Sequence, residues 1–270
     1  MDNMESVDSQ FKNQLDKAAR VMANARYAVA LAGAGLSVES GIPPYRGPGG
    51  LWTKYGEPPL LLFNEFQTNP KAWWENRLQS ETENGNPIRE MKLALDGAKP
   101  NPGHYSLKEL EDLDILKYTI TQNVDNLQIM VGSKSALEIH GNRTLLRCLS
   151  CGVRQKRTES SFETLPPICE HCQGIIKMDT VMFGEPIPKD ILMQCMEAVN
   201  DCDCMLLIGT SGTVNPAAQL PIRALKQGAQ LIEINPEKTS LSPICQSVFT
   251  GKSGVILPLL VEQIKRILGA

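Results

Sequence analysis

Four cysteines stand as two close pairs, Cys148-x2-Cys151 and Cys169-x2-Cys172, with 17 residues between the pairs. Each pair can set two sulfurs on one side of a tetrahedral ion, and together they have the spacing of a four-thiolate zinc ribbon. Four thiolates leave no coordination position for water, so such a zinc is structural and not catalytic. The second constellation is a glycine loop, Gly33-Ala34-Gly35, directly after the apolar run Tyr27–Leu31. Glycines at a strand end let the chain turn sharply and bring its N–H groups close to a phosphate. Gly209-Thr210-Ser211-Gly212 ends another apolar run, and Asn235 ends a third, where a side-chain amide can bond ribose hydroxyls. A dinucleotide is the natural ligand of such a set. Val38 stands where GxGxxG would carry its third glycine, which argues against an ordinary hydride-transfer dehydrogenase. Gln122, Asn123 and Asp125 follow a buried strand and serve either chemistry or loop solubility. His140, before Gly141, is either a general base with a pKa of about 6.5 or a hydrogen-bonded structural residue. His104 is read as structural, packed near the helix that starts at Pro102.

These residues sit at the ends of an alternating pattern. An amphipathic helix over 9–25 leads into the strand Tyr27–Leu31. Asn101 caps a helix with Pro102 at its first position, and the strand Lys117–Thr121, a helix over 124–131 and a short strand Ala136–His140 follow. A helix near 188–200, the strand Met205–Ile208, a helix over 216–227, the strand Gln230–Ile234 and a helix over 254–267 complete the chain. Strands alternating with helices imply an α/β fold, a parallel sheet covered on both faces with ligands at the carboxyl ends of its strands. Two stretches interrupt the pattern. Residues 58–96 carry Trp73, Trp74, Leu78, Ile88, Met91 and Leu95 without a convincing strand, and residues 147–174 carry the cysteine pairs. The expected organisation is a Rossmann-like domain built from 1–57, 97–146 and 175–270, with a smaller domain made of the helical insertion 58–96 and the zinc-binding module 147–174.

Composition narrows the class of partner. Hydrophobic content of 42% and charged content of 21% describe a folded globular chain, and 270 residues suffice for a sizeable core. A net charge of -3 gives no support for nucleic acid or an anionic membrane as partner. The cations Arg143, Arg147, Arg154, Lys156 and Arg157 around the cysteine module read as a solvated face. No apolar run approaches the ~20 residues that span a bilayer, and the acidic, polar N-terminus is unlike a signal peptide. The expected location is the cytoplasm, where thiols stay reduced and paired cysteines favour metal over disulfide.

GAGLSVESGIPPYRG, TQNVDNL, EIHGN, the two CxxC pairs, VMFGEPIP, GTSGTVNPAAQLP and EINPE resemble, in the same order, the motifs of the sirtuins, the NAD-dependent protein deacylases. The resemblance runs from about residue 15 to the end. It implies that Gly33, Ala34, Gly35, Gly209, Thr210, Ser211 and Asn235 bind NAD, that Arg46 reaches the phosphate and ribose region, and that Tyr45 covers the reacting ribose. Ile42, Asn123 and Asp125 would line a nicotinamide pocket, with Gln122 near the nicotinamide ribose. His140 would be the base, with Asn123 beside it at the catalytic centre. By the same resemblance, an acyl-lysine carbonyl oxygen attacks C1′ of that ribose as nicotinamide leaves, and His140 activates a ribose hydroxyl that attacks the imidate carbon. Amine and O-acyl-ADP-ribose are then released. Val181, Met182 and Phe183 would border the lysine tunnel, their backbone open to pairing with an acyl-lysine protein or peptide as an added strand.

Three positions depart from the family pattern. Tyr45 replaces the usual Phe, and Gln128 replaces a common His and is read as a structural change. No Tyr-x-x-Arg pair for acidic acyl groups is evident around Arg77, so acetyl or another uncharged acyl group is favoured. Tyr45 and Gln128 motivate the alternative activity, protein ADP-ribosylation or NAD hydrolysis on the same scaffold.

Overall fold

The computed structural model describes the backbone of residues 2–47 and 49–269, with side chains from residue 9 onward. Met1, Pro48 and Ala270, which the expected first and last segments include, lie outside the described residues. In chain order the strands are β1 (Ala28–Ala32), β2 (Leu116–Thr121), β3 (Ala136–Glu138), β4 (Leu145–Cys148), β5 (Arg154–Lys156), β6 (Ile176–Met178), β7 (Cys204–Ile208), β8 (Gln230–Asn235) and β9 (Ser247–Thr250). Six of them form one sheet in the order β3-β2-β1-β7-β8-β9, every pair parallel. Counting only these six, the order is 3-2-1-4-5-6, that of doubly wound dinucleotide-binding folds, and the order reverses between β1 and β7. A crevice is expected at the carboxyl ends of those two strands.

The helices are α1 (Asp2–Asn24), α2 (Leu51–Tyr55), α3 (Leu62–Thr68), α4 (Pro70–Ser80), α5 (Pro87–Gly97), α6 (Pro102–Asp112), α7 (Leu127–Met130), α8 (Lys189–Asp201), α9 (Gln219–Lys226) and α10 (Ser253–Leu268). All five side chains of β1 are buried because the strand is covered on both faces. Ala28, Ala30 and Ala32 join Leu107, Leu257, Leu260 and Met22 in the layer made by α1, α6 and α10. Val29 and Leu31 point the other way, onto Cys195, Val199, Leu220 and Ala224 of α8 and α9. The period of two along each strand thus feeds two separate cores.

Three helices begin with the same device. Asn69, Asn86 and Asn101 accept bonds from the amides of Ala72, Ile88 and Gly103 at 3.1, 3.0 and 2.9 Å, and Pro70, Pro87 and Pro102 follow them. Proline forfeits only an N–H that has no helical partner at that position. At α6 the His104 ring also accepts from the Asn101 N–H at 3.3 Å, closing a capping box.

β4, β5 and β6 form an antiparallel sheet in the order β5-β4-β6, which reaches Leu145 on one side of the cysteine pairs and Met178 on the other. Phe66 of α3 and Trp74 of α4 pack on it with Leu146, Ile176, Met178 and the sulfurs of Cys148 and Cys169. The Trp74 indole N–H donates to the Ile176 carbonyl at 3.1 Å. Three expectations are shortened, and the helix over 216–227 is Gln219–Lys226. The helix over 124–131 is only Leu127–Met130, because Asp125 caps the Leu127 N–H at 2.9 Å and Asn126 takes φ 71°. The strand over 136–140 stops at Glu138, because Gly141 turns the chain with φ 76°.

Candidate active site

The loops after β1 and β7 meet backbone to backbone. Gly35 N–H donates to the Gly209 carbonyl at 2.9 Å, and Gly33 N–H to Ile208 at 2.9 Å. A Cβ on Gly35 would lie 2.5 Å from Gly209 Cα, and one on Gly33 would lie 2.7 Å from the Gly209 oxygen. Both glycines are therefore required by loop–loop contact before any ligand is considered. Gly209 itself adopts φ 57°.

Next to that contact a buried polar cluster closes. Ser37 Oγ donates to Asp125 Oδ2 at 2.7 Å and accepts from Asn123 Nδ2 at 3.0 Å. Asn123 Nδ2 also donates to the Gly33 carbonyl at 3.0 Å, and His104 Nε2 lies 3.4 Å from Ser37 Oγ. Burial lowers the His104 pKa to about 4, against the opposing pull of Asp125. His104 is thus a cap residue and also a member of this cluster. Ser37 is the cluster's centre, and neither spacing nor residue type marked it in the sequence. Ala34, Ser37, Ile42, Tyr45, Asn123 and Asp125 line a narrow pocket, closed from the far side by Met91 and Leu95 of α5. The helical insertion therefore supplies a wall that its sequence pattern did not announce.

His140 bonds the backbone of Gln122, the residue before Asn123 of the pocket lining. Its Nδ1 lies 3.0 Å from the Gln122 carbonyl oxygen, which can only accept. Nδ1 therefore carries the proton and Nε2 presents a lone pair, the tautomer a base needs. Burial lowers the His140 pKa, and the Gln122 carbonyl works against that shift. The Gln122 side chain donates to Thr210 Oγ1 at 2.8 Å, joining the ends of β2 and β7. Gly141 is fixed twice over, by its positive φ and by an Asp179 carbonyl oxygen 2.2 Å from where a Cβ would stand. That contact and a 2.9 Å bond from Val181 N–H to the His140 carbonyl seat the Val181–Phe183 stretch beside the histidine.

Tyr45 stacks on Trp52 at 4.9 Å between ring centroids, and Trp52 meets Phe183 edge-on at 5.6 Å. Burial, then the Asp125 carboxylate, raises the Tyr45 pKa, so the phenol stays neutral. Arg46 lies 4.7 Å over the Trp52 ring, pairs with Glu57 at 2.9 Å and donates to Thr213 Oγ1 at 3.3 Å. Ser211 bonds Thr213 at 2.8 Å, and Asn235 Nδ2 is taken up by the Glu237 carbonyl at 2.9 Å within its own turn.

The sulfurs of Cys148, Cys151, Cys169 and Cys172 lie within 4.8 Å of one another, with Cys148–Cys172 at 3.5 Å and Cys151–Cys169 at 3.7 Å. Zinc–sulfur bonds of ~2.3 Å give a tetrahedron with edges of ~3.8 Å, so the set fits zinc and is too wide for disulfides. Around it, the expected solvated basic face is mostly paired. Arg143 bonds Asp96, Arg147 and Arg154 share Asp179, and Arg157 bonds Glu81. Cations committed in this way are not free for a nucleic-acid backbone. Arg77, considered for acidic acyl groups, is held by Glu81 at 2.9 Å. Gln128 is buried, and neither atom of its amide has a hydrogen-bond partner. Among the described residues, no helix is long and apolar enough to cross a membrane.

The site can be set beside known proteins. Residues 33–216 match the model of the Sir2 family. An Archaeoglobus fulgidus protein named NAD-dependent protein deacylase 2 is 39% identical over 260 residues, covering 95% of this chain and 98% of its own. The solved structure of a Sir2 homolog–NAD complex is similar at 36% identity and a TM-score of 0.76, covering 93% of this chain and 94% of that one. A Sir2 variant holding a deacetylated peptide and 3′-O-acetyl ADP ribose is 28% identical, with a TM-score of 0.73 and coverage of 91% and 96%. The family model spans more than half of the chain and the relatives match it over nearly its whole length, so the chain belongs to the Sir2 family.

Proposed function

We propose that this protein is an NAD-dependent protein lysine deacylase that yields nicotinamide and O-acyl-ADP-ribose, with acetyl or another uncharged acyl group as its substrate. The observation that carries the reading is His140, bonded through Nδ1 to Gln122 at the carboxyl end of the sheet, where the Gln122 side chain reaches Thr210 after β7. NAD, when bound, supplies a ribose carbon that accepts the acyl oxygen as nicotinamide departs. Gly33, Ala34, Gly35, Gly209, Thr210, Ser211 and Asn235 hold the dinucleotide in this reading, and Arg46 engages its phosphate and ribose region. Ile42, Asn123 and Asp125 receive the nicotinamide, Gln122 orients its ribose, and Tyr45 with Trp52 excludes water. His140 Nε2 takes the proton of a ribose hydroxyl. Val181, Met182 and Phe183 border the acyl-lysine of a protein or peptide. Cys148, Cys151, Cys169 and Cys172 hold zinc as a structural ion. We place these functions in two domains, 1–57 with 97–146 and 175–270 for NAD, and 58–96 with 147–174 for the smaller one.

Incubation with labelled NAD, with and without an acetyl-lysine peptide, tests the activity. The expected result is nicotinamide release only with peptide, matched by O-acetyl-ADP-ribose in the mass spectrum. Release that ignores the peptide would establish NAD hydrolysis instead.

A further inference from the structure

Lys177, in β6, has none of its surface exposed and does not line the pocket described above. A buried ammonium persists only where its donors are taken up. Its Nζ donates to the carbonyls of Met178 at 2.6 Å and Thr180 at 2.8 Å, and lies 3.0 Å from Glu185 Oε2. The Glu185 side chain is 2% exposed. Its Oε2 also accepts from the Met182 N–H at 2.8 Å, and its Oε1 accepts from Arg147 at 2.6 Å.

The stretch between β6 and α8 has no regular ladder of its own, so its shape is set by whatever occupies its peptide groups. On one side, the carbonyls of 178 and 180 and the amide of 182 end on the Lys177–Glu185 pair. On the other, Val181 N–H meets His140 and the Phe183 carbonyl accepts from Phe63 N–H at 3.0 Å. Stability alone does not call for ions here, because an apolar pair of like volume is often as stable as a buried salt bridge. An apolar pair could not hold two carbonyls and an amide in one arrangement. Only a multivalent donor joined to a multivalent acceptor can do that.

We propose that Lys177 and Glu185 are a positioning pair for the acyl-peptide site, fixing the backbone of Met178–Phe183 and thereby setting the affinity for peptide while leaving NAD binding alone. The inference rests on the reading that Val181–Phe183 border the acyl-lysine. Neither residue touches the reacting atoms.

The test uses the full zinc-loaded chain with Lys177→Met, Glu185→Gln and, as a control in the stretch itself, Val181→Asp. Readouts are NAD affinity without peptide, KM and kcat for an acetyl-lysine peptide, and amide exchange at Val181 and Met182. Lys177→Met is expected to raise the peptide KM roughly tenfold, with NAD affinity within about twofold and faster exchange confined to the stretch. Should Lys177→Met not fold, Glu185→Gln carries the test, with a peptide KM raised roughly fivefold and NAD affinity unchanged. A peptide KM that stays at the wild-type value, or NAD affinity falling in parallel with it, overturns the pair. If Val181→Asp leaves the peptide KM unchanged as well, the placement of the peptide fails and takes the pair with it. If Val181→Asp raises it and the other two variants do not, the pair alone fails.

Discussion

At the scale of single residues, the site works through fixed protonation states. The Gln122 carbonyl commits His140 to one tautomer, and burial keeps its pKa below that of a free histidine. A base must be neutral, so in the proposed role His140 is ready at a lower pH than a solvent-exposed imidazole. The acid limb of kcat/KM is accordingly expected to have its midpoint below 6.5, and a midpoint above 6.5 would contradict the burial. His140→Ala should lower kcat by about 10²–10⁴-fold while NAD binding persists, as measured by titration without peptide. Gln128 makes a different case. An orphaned buried amide is a standing desolvation penalty, so Gln128→Met should raise stability by about 1–3 kcal/mol. A lower midpoint in thermal unfolding would show that the amide has partners in solution. Ser37 illustrates what residue-level reading misses. Its partners Asn123, Asp125 and His104 lie 67 to 88 positions away in sequence, and a lone hydroxyl in a loop carries no periodicity.

At the scale of elements, legibility follows burial. β1, β7 and β8 were readable because both faces of each are covered, which leaves nearly unbroken apolar runs. β9 was not, since only Ser247 and Phe249 of its four residues are buried at the edge of the sheet. β4 and β6 were hidden by Arg147 and Lys177, charges that look like loop until Asp179 and Glu185 are seen beneath them. The glycines after β1 were found for one reason and are required for another. Phosphate approach was the expectation, whereas the geometry shows two loops whose backbones touch. Gly35→Ala should therefore push the β1 and β7 loops apart, destabilising by on the order of 1–3 kcal/mol and weakening NAD binding at the same time. Calorimetric titration with NAD checks this, and affinity equal to wild type would mean that the loops yield without opening the crevice.

At the scale of the whole molecule, two kinds of core are joined in one chain. The large sheet is sandwiched between helices, whereas the small sheet has Cys148 and Cys169 inside its own apolar cluster. In the proposed zinc site those sulfurs are both ligands and packing atoms, so losing the metal would remove core as well as coordination. The chain carries 3 tryptophans. Trp73 and Trp74 belong to the small core, and Trp52 lies between the rings of Tyr45 and Phe183. The large layers contain none of them. Indole emission therefore reports the small module and the active-site loop, while the helical circular dichroism comes mainly from α1, α6, α8, α9 and α10 on the large sheet. Stripping the metal with a strong chelator, or Cys169→Ala, should shift emission to the red and abolish deacylation while most of the helical signal survives. Emission and activity that withstand complete loss of zinc would show the four sulfurs to be packing residues only. Loss of both signals together would show that the large sheet depends on the small one, through the Asp179–Glu185 stretch that links them.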